Sequence, residues 1–317
     1  MNPRRRVHVI AGVLRNARGK VLLAQRQANT HLAGHWEFPG GKLEAGETRE
    51  QGLRRELHEE LGVEVRVAQP LIQVSHDYAE KCVLLDVWQV DAFDGEPHGK
   101  EGQPLRWVEV DRLPDCHLPA ADVPVVAALR LPARYVITPE PGGDLAHFLA
   151  VLKQMLARGE RLVQLRAKQM PAPMLAQLAA RAWQLCERAG ALLLVNDAIQ
   201  LSETLPVGIH LSARALLAQR QRPVPGHRWV GASCHNAREL AHAVKIGVDF
   251  AVLGPVRSTA SHPDATAIGW EEFGRLAQGA GLPVYALGGV GPADVSTARW
   301  HGGQGVAGIS AFWPDQL

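Results

Sequence analysis

Residues 41–63 read GKLEAGETREQGLRRELHEELGV, a stretch that spells out a helix from cap to stop. Thr48 and Gln51 stand three apart as a capping-box pair, which satisfies two backbone donors that a helix start leaves orphaned. Gly62 tolerates the left-handed backbone that ends a helix. Between them Leu53, Leu57 and Leu61 recur every fourth residue as one buried stripe. Glu56, Glu59 and Glu60 then share the opposite face. Carboxylates four residues apart repel by about a few tenths of a kcal/mol, so three gathered there call for full solvation or a cation. Solvation is the commoner reading of an acidic helix face taken alone.

Strand-like runs surround this helix: VHVIAGVL (7–14) and KVLLAQR (20–26) before it, KCVLLDVWQVDAF (81–93) and LRWVEV (105–110) after it. A second helix is expected over 123–131, which completes an α+β pattern: a mixed sheet with flanking helices. After Pro132 the pattern changes to short apolar strands at 135–138, 162–165, 192–195, 208–211, 229–233, 250–253, 283–287 and 305–309, separated mostly by helical stretches. Eight such units predict an α/β (TIM) barrel with a missing or truncated last helix. Two domains follow, 1–132 and 133–317, joined by a short junction that keeps them close together.

Composition is that of an ordinary globular protein, with 46% hydrophobic and 21% charged residues among 317. The 34 basic residues nearly cancel the 32 acidic ones, so global charge gives no reason to expect nucleic-acid binding by phosphate neutralisation. Cys82, Cys116, Cys186 and Cys234 are scattered without a CxxC pair, which argues against a disulfide framework or structural zinc and favours a cytoplasmic location. The opening Arg4-Arg5-Arg6 before VHVIAGVL reads as a first strand rather than a signal sequence, because His8 interrupts the apolar run. No stretch approaches the roughly 20 apolar residues of a membrane span.

The spacing in residues 41–63 weighs against simple solvation of the acidic face. Glycine, five residues, glutamate, seven residues, then Arg-Glu-aliphatic-x-Glu-Glu-x-Gly-aliphatic resembles the Nudix box at all nine fixed positions. The resemblance implies Glu56, Glu59 and Glu60 holding Mg²⁺, with Mn²⁺ as a substitute, against a pyrophosphate, and Glu47 supporting them through Arg55. Such an ion prefers oxygen ligands and activates water at a diphosphate.

The resemblance narrows through HLAGHWEFPGGKLE, GEPHGKEGQP and LPAADVPVV, which are similar to the MutT-like 8-oxo-dGTP diphosphatases over residues 7–131. It implies a Gly40 carbonyl on the metal, Glu101 as a further metal ligand or the general base, and either Glu56 or Glu101 taking the water proton. Arg26 and Phe38 fall where those enzymes contact the nucleotide, and Asp122 where they carry a purine-reading asparagine. Ionised aspartate only accepts hydrogen bonds, whereas a carboxyl kept protonated by burial also donates. Asp122 as a surface cap of the helix near Pro124 is the equal alternative.

YVITPE, VQLRAK, LLLVND, GIHLS, GASCHNARE, VLGPVRSTASHPDA, ALGGV and GISAF are similar to thiamine phosphate synthase and the thiazole tautomerase TenI over 134–313. All except GASCHNARE are expected at the C-terminal ends of strands, where such barrels build their sites. The likeness implies Gln164, Arg166 and Lys168 at a pyrophosphate, Asn196 and Asp197 at a diphosphate and Mg²⁺, and a phosphate on Gly288-Gly289 and Ile309-Ser310. Arg166 on a barrel strand further suggests a bound anion. Two departures stand against synthase activity: Ser212-Ala213-Arg214 replaces the second metal carboxylate, and His262 replaces a lysine. A tautomerase needs only proton transfer, for which His210 or His235 could serve, although a lone histidine is more often structural.

The expectation is an enzyme that converts 8-oxo-dGTP to its monophosphate plus diphosphate and so sanitises the nucleotide pool. Its barrel would bind a thiamine-precursor phosphate, with no membrane or nucleic-acid partner. The alternatives are another nucleotide or thiamine-pathway pyrophosphate as substrate, and a non-catalytic barrel that senses a phosphorylated ligand.

Overall fold

The computed structural model describes residues 5–28, 32–258 and 266–313. The chain divides into two compact units, the first carrying residues 1–130 and 277–281 and the second residues 131–276 and 282–317.

In the first unit β1 (Arg5–Leu14), β2 (Val21–Gln25), β3 (Trp36–Glu37) and β4 (Gly40–Lys42) lead into α1 (Arg49–Leu61). β5 (Glu64–Asp77), β6 (Lys81–Asp94), β7 (Leu105–Val108) and α2 (Val123–Arg130) follow. One sheet runs β4-β1-β6-β5, with β1 and β6 parallel and the outer pairs antiparallel; a smaller sheet runs β3-β2-β7. Alternate residues of β1 face different cores. Ile10 and Leu14 pack with Leu53, Leu57 and Leu61 of α1, while Ala11 and Val13 pack with Val125 and Val126 of α2.

The capping box on α1 is in place, and Gly62 ends the helix at φ 70°. Asp86, fully buried on β6, ties the first turn to the sheet through Arg49 Nε at 2.5 Å and Nη2 at 2.7 Å. Gln73 and Trp88 also donate to that carboxylate. The long strand β5 was not foreseen; Pro70 and three register shifts against β6 break the period-2 alternation that marks a strand.

The second unit is a closed barrel of eight parallel strands: β8 (Arg134–Ile137), β9 (Leu162–Leu165), β10 (Leu192–Asn196), β11 (Gly208–Leu211), β12 (Val230–Cys234), β13 (Phe250–Leu253), β14 (Val284–Leu287) and β15 (Gly305–Gly308). The helices between them are α3 (Leu145–Ala157), α4 (Ala172–Arg188), α5 (Leu201–Thr204), α6 (Ala213–Ala218), α7 (Ala237–Lys245), α8 (Gly269–Gly279) and α9 (Val295–Trp300). Turns follow β15 as far as residue 313. Tyr135, Ile137, Leu162, Leu194, Phe250, Val252, Tyr285 and Ala307 fill the barrel interior. Among the described residues no helix is long and apolar enough to cross a membrane.

Candidate functional site

The first unit holds a cavity of about 670 Å³ lined by Arg26, Phe38, Gly40, Glu56, Glu60, Glu101 and Asp122, together with Glu37, Tyr78, Lys81 and Gln103. The folding of the segments explains how these residues meet. Gly40 presses onto β1 at φ 148°, where an added Cβ would collide with the Ile10 carbonyl, so only glycine brings the WEFPGG turn in. The loop carrying Glu101 is stitched to the carbonyl end of α1. Gln103 Nε2 and the Lys100 amide both donate to the Glu60 carbonyl, at 3.1 and 3.0 Å, and Lys100 Nζ donates to that of His58 at 3.1 Å.

Arg55 organises the acidic face. Its guanidinium holds Glu47 through Nε at 2.7 Å and Nη2 at 3.0 Å, and donates from Nη1 to Glu56 at 2.9 Å and to Glu59 at 3.0 Å. These bonds hold the Glu47 carboxyl down at about 2, with the Arg55 hydrogen bond the largest cause. Glu60 points into the cavity and accepts from the Gly40 amide at 3.0 Å. Burial pushes its carboxyl up to about 8, and the neighbouring charges of Glu37, Glu101 and Glu56 push the same way. Burial also raises Glu56, against the pull of Arg55.

Two expectations for this helix change. Glu60 is not on an exposed face, because the loop over residues 95–104 and the WEFPGG turn cover it. Glu59 does not line the cavity; its side chain is 56% exposed and stays on Arg55. Among the described residues no group of three or more acidic, histidine or cysteine side chains stands ready-made around a metal position. The donor set still fits a hard divalent cation. Glu56 and Glu60 bring only oxygens, both are desolvated without a counter-charge large enough to hold them at ordinary acidity, and Gly41 leaves room for the Glu56 carboxyl where a Cβ would clash.

Asp122 is buried at 5% exposure, which removes the surface-cap alternative, and it accepts from the Phe38 amide. Burial raises its carboxyl to about 8, with Glu37 adding to the rise. Glu37, paired with Arg26, is likewise raised by burial. Sequence reasoning passed over Glu37, Tyr78, Lys81 and Gln103; the signal for Glu37 was its place beside Phe38 in a stretch already singled out.

At the barrel, Gln164, Lys168 and His210 come together with Tyr135 and Ser233, which had not been named. Gln164 Nε2 donates to the Tyr135 hydroxyl at 3.1 Å. The same hydroxyl is hydrogen-bonded to His210 Nδ1 at 3.1 Å, and His210 Nε2 to Ser233 Oγ at 2.9 Å. Burial drives His210 down to about 3, with the charge of Lys168 adding, so the ring is neutral with both nitrogens engaged. Alternation along the strands could have found these partners, since polar residues at inward positions of β8 and β12 stand out.

GASCHNARE turns out to sit at a strand end as well. β12 stops at Cys234, and exposed His235 follows with Nδ1 at 3.1 Å from the Gly254 carbonyl. Gly288 and Gly289 both have left-handed φ, 95° and 64°, and Ser310 is exposed. Arg166 lies 3.7 Å from Glu140, so an anion of the chain itself accompanies it. Asn196 ends β10, and Asp197 Oδ1 accepts from the Ser212 amide at 2.7 Å. His262 lies outside the described residues.

Comparison with known proteins separates the two units. The family model for thiamine monophosphate synthase matches residues 134–312, and that for the NUDIX domain matches residues 10–128. The 8-oxo-dGTP diphosphatase of Escherichia coli (strain K12) is 36% identical over 126 residues, 40% of this chain and 98% of that protein. The CTP pyrophosphohydrolase of the same organism is 37% identical over 122 residues, 38% of this chain and 90% of that protein. A putative thiamine-phosphate synthase 2 of Aquifex aeolicus (strain VF5) is 33% identical over 186 residues, 58% of this chain and 99% of that protein. With the box on α1 beside a cavity in the first unit and a closed parallel barrel as the second, the chain belongs to the Nudix hydrolases in its N-terminal part and to the thiamine phosphate synthase/TenI family in its C-terminal part.

Proposed function

We propose that the first unit is a Mg²⁺-dependent pyrophosphohydrolase that converts 8-oxo-dGTP to the monophosphate plus diphosphate. One observation carries this reading: a single cavity gathers Glu56, Glu60 and Glu101 with Arg26, Phe38 and Asp122. Glu56, Glu60, Glu101 and the Gly40 carbonyl would hold the ion, which supplies charge neutralisation at the diphosphate and acidifies water. Glu56 or Glu101 takes the water proton. Arg55 keeps Glu56 in place, and Asp122 reads the base edge.

A second substrate reading rests on Asp122 and Glu37 together. Two carboxyl groups, at least one protonated, offer a donor beside an acceptor and suit any base edge with an acceptor beside an amino or ring N–H group. A cytosine nucleotide has such an edge, and one similar protein is a CTP pyrophosphohydrolase. The test is kcat/KM for 8-oxo-dGTP, dGTP, dATP, CTP and thiamine diphosphate. We expect 8-oxo-dGTP to lead by about tenfold or more; CTP or thiamine diphosphate in first place overturns the assignment.

For the barrel we propose binding of a phosphorylated thiamine precursor without efficient coupling of two precursors. The turns after β14 and β15 supply backbone amides for one phosphate. Pyrophosphate departure needs its growing charge neutralised, and the chain lacks one carboxylate at residues 212–214. His235 suits proton transfer better than His210, because its exposed ring keeps Nε2 open while Nδ1 rests on a carbonyl. The purified full-length chain should bind a thiazole monophosphate yet form no thiamine phosphate at a useful rate; robust product from both precursors would refute this.

A further inference from the structure

The turn after β9 converges on an anion. The Lys168 amide donates to Glu140 Oε2 at 3.1 Å and the Gln169 amide to Glu140 Oε1 at 2.9 Å. Arg166 Nη1 lies 3.7 Å from Oε2. Two successive backbone N–H groups beside a guanidinium form the kind of concavity that takes oxyanions. Its occupant is a carboxylate delivered by the loop after β8, whose Thr138 also accepts the Arg166 amide at 3.0 Å. The second acid at the same end of the barrel, Asp197, is engaged in the same manner with the Ser212 amide.

We infer that Glu140 is a resident occupant of this oxyanion position and thereby sets the ligand charge that the barrel accepts: one phosphoryl group, held elsewhere at the mouth, and not a diphosphate. The inference rests on the proposed binding of a phosphorylated thiamine precursor. A diphosphate that reached Arg166 would meet the Glu140 carboxylate within about 4 Å, where like charges repel strongly at protein dielectric. Arg166 and Glu140 are each 30% exposed, so an incoming anion competes with the carboxylate directly and no unfolding is needed.

Calorimetric titration of the full-length chain with inorganic pyrophosphate, in chelator and without divalent ion, tests this. Glu140→Gln should bind pyrophosphate about tenfold or more tightly than wild type, and the double variant Glu140→Gln with Arg166→Ala should lose that gain. Arg166→Ala alone should bind pyrophosphate no more tightly than wild type, because it leaves the Glu140 carboxylate in place and removes its counter-charge. A Glu140→Gln variant with no gain at wild-type melting temperature overturns the inference, as does the absence of any gain in Glu140→Ala should Glu140→Gln fail to fold. Parallel titration with a thiazole monophosphate keeps the two readings apart. Wild type that does not bind it refutes the precursor reading, while wild type that binds it alongside a null pyrophosphate result refutes only the role of Glu140.

Discussion

Glu60→Gln should lower metal-dependent hydrolysis by at least about a hundredfold at saturating Mg²⁺, with no loss of melting temperature. The side chain is mostly buried in the cavity, bonded to the Gly40 amide, and surrounded by the charges of Glu37, Glu101 and Glu56. Glutamine keeps the acceptor for Gly40 and nearly the same volume, so packing on α1 stays whole. What it removes is a carboxylate that the fold alone does not favour, since burial already holds its carboxyl near 8. Stability should therefore hold or rise slightly while activity collapses. Turnover near wild type would show that this carboxylate does not hold the ion, and a fall in melting temperature would show that its role is structural.

The fate of that acidic face shows how far the sequence reaches. The capping box, the Leu53, Leu57 and Leu61 stripe and the Gly62 stop are local, so residue spacing specifies them and the helix appears where expected. The eight barrel strands were legible for the same reason: each is a short apolar run bounded by turns, and each lies within a residue or two of its expected place. Depth is not local. Glu59 and Glu60 are consecutive in α1, yet one stays on Arg55 in solvent while the other is covered by a loop stitched on from residues 98–103. β5 escaped because Pro70 and its bulges erase the alternation. The Tyr135–His210–Ser233 chain escaped because it joins residues from three strands that only the closed barrel brings together.

Asp122→Asn should stabilise the first unit at neutral pH and sharpen its choice of base. Burial raises the folded carboxyl from 3.8 to about 8, so between those values the folded state holds a proton that the unfolded state has lost. Stability from this group is then fully present below about pH 4 and is lost as pH rises toward 8. At about 1.36 kcal/mol per pH unit, the cost at pH 7 is at most on the order of 4 kcal/mol. Asparagine does not ionise, so its melting temperature should exceed that of wild type by several degrees near pH 8, with the gap narrowing toward pH 5. The same titration governs selectivity. Protonated Asp122 donates and accepts, as asparagine does, but above about pH 8 it only accepts and faces an O6 acceptor without a proton to give. The wild-type kcat/KM ratio for 8-oxo-dGTP over 8-oxo-dATP, whose 6-amino group donates where O6 accepts, should therefore fall as pH rises through 8, while that of Asp122→Asn stays level and exceeds it by about tenfold at the alkaline end. Equal ratios for the two proteins across that range would remove Asp122 from base recognition, even if the stability difference were found as expected.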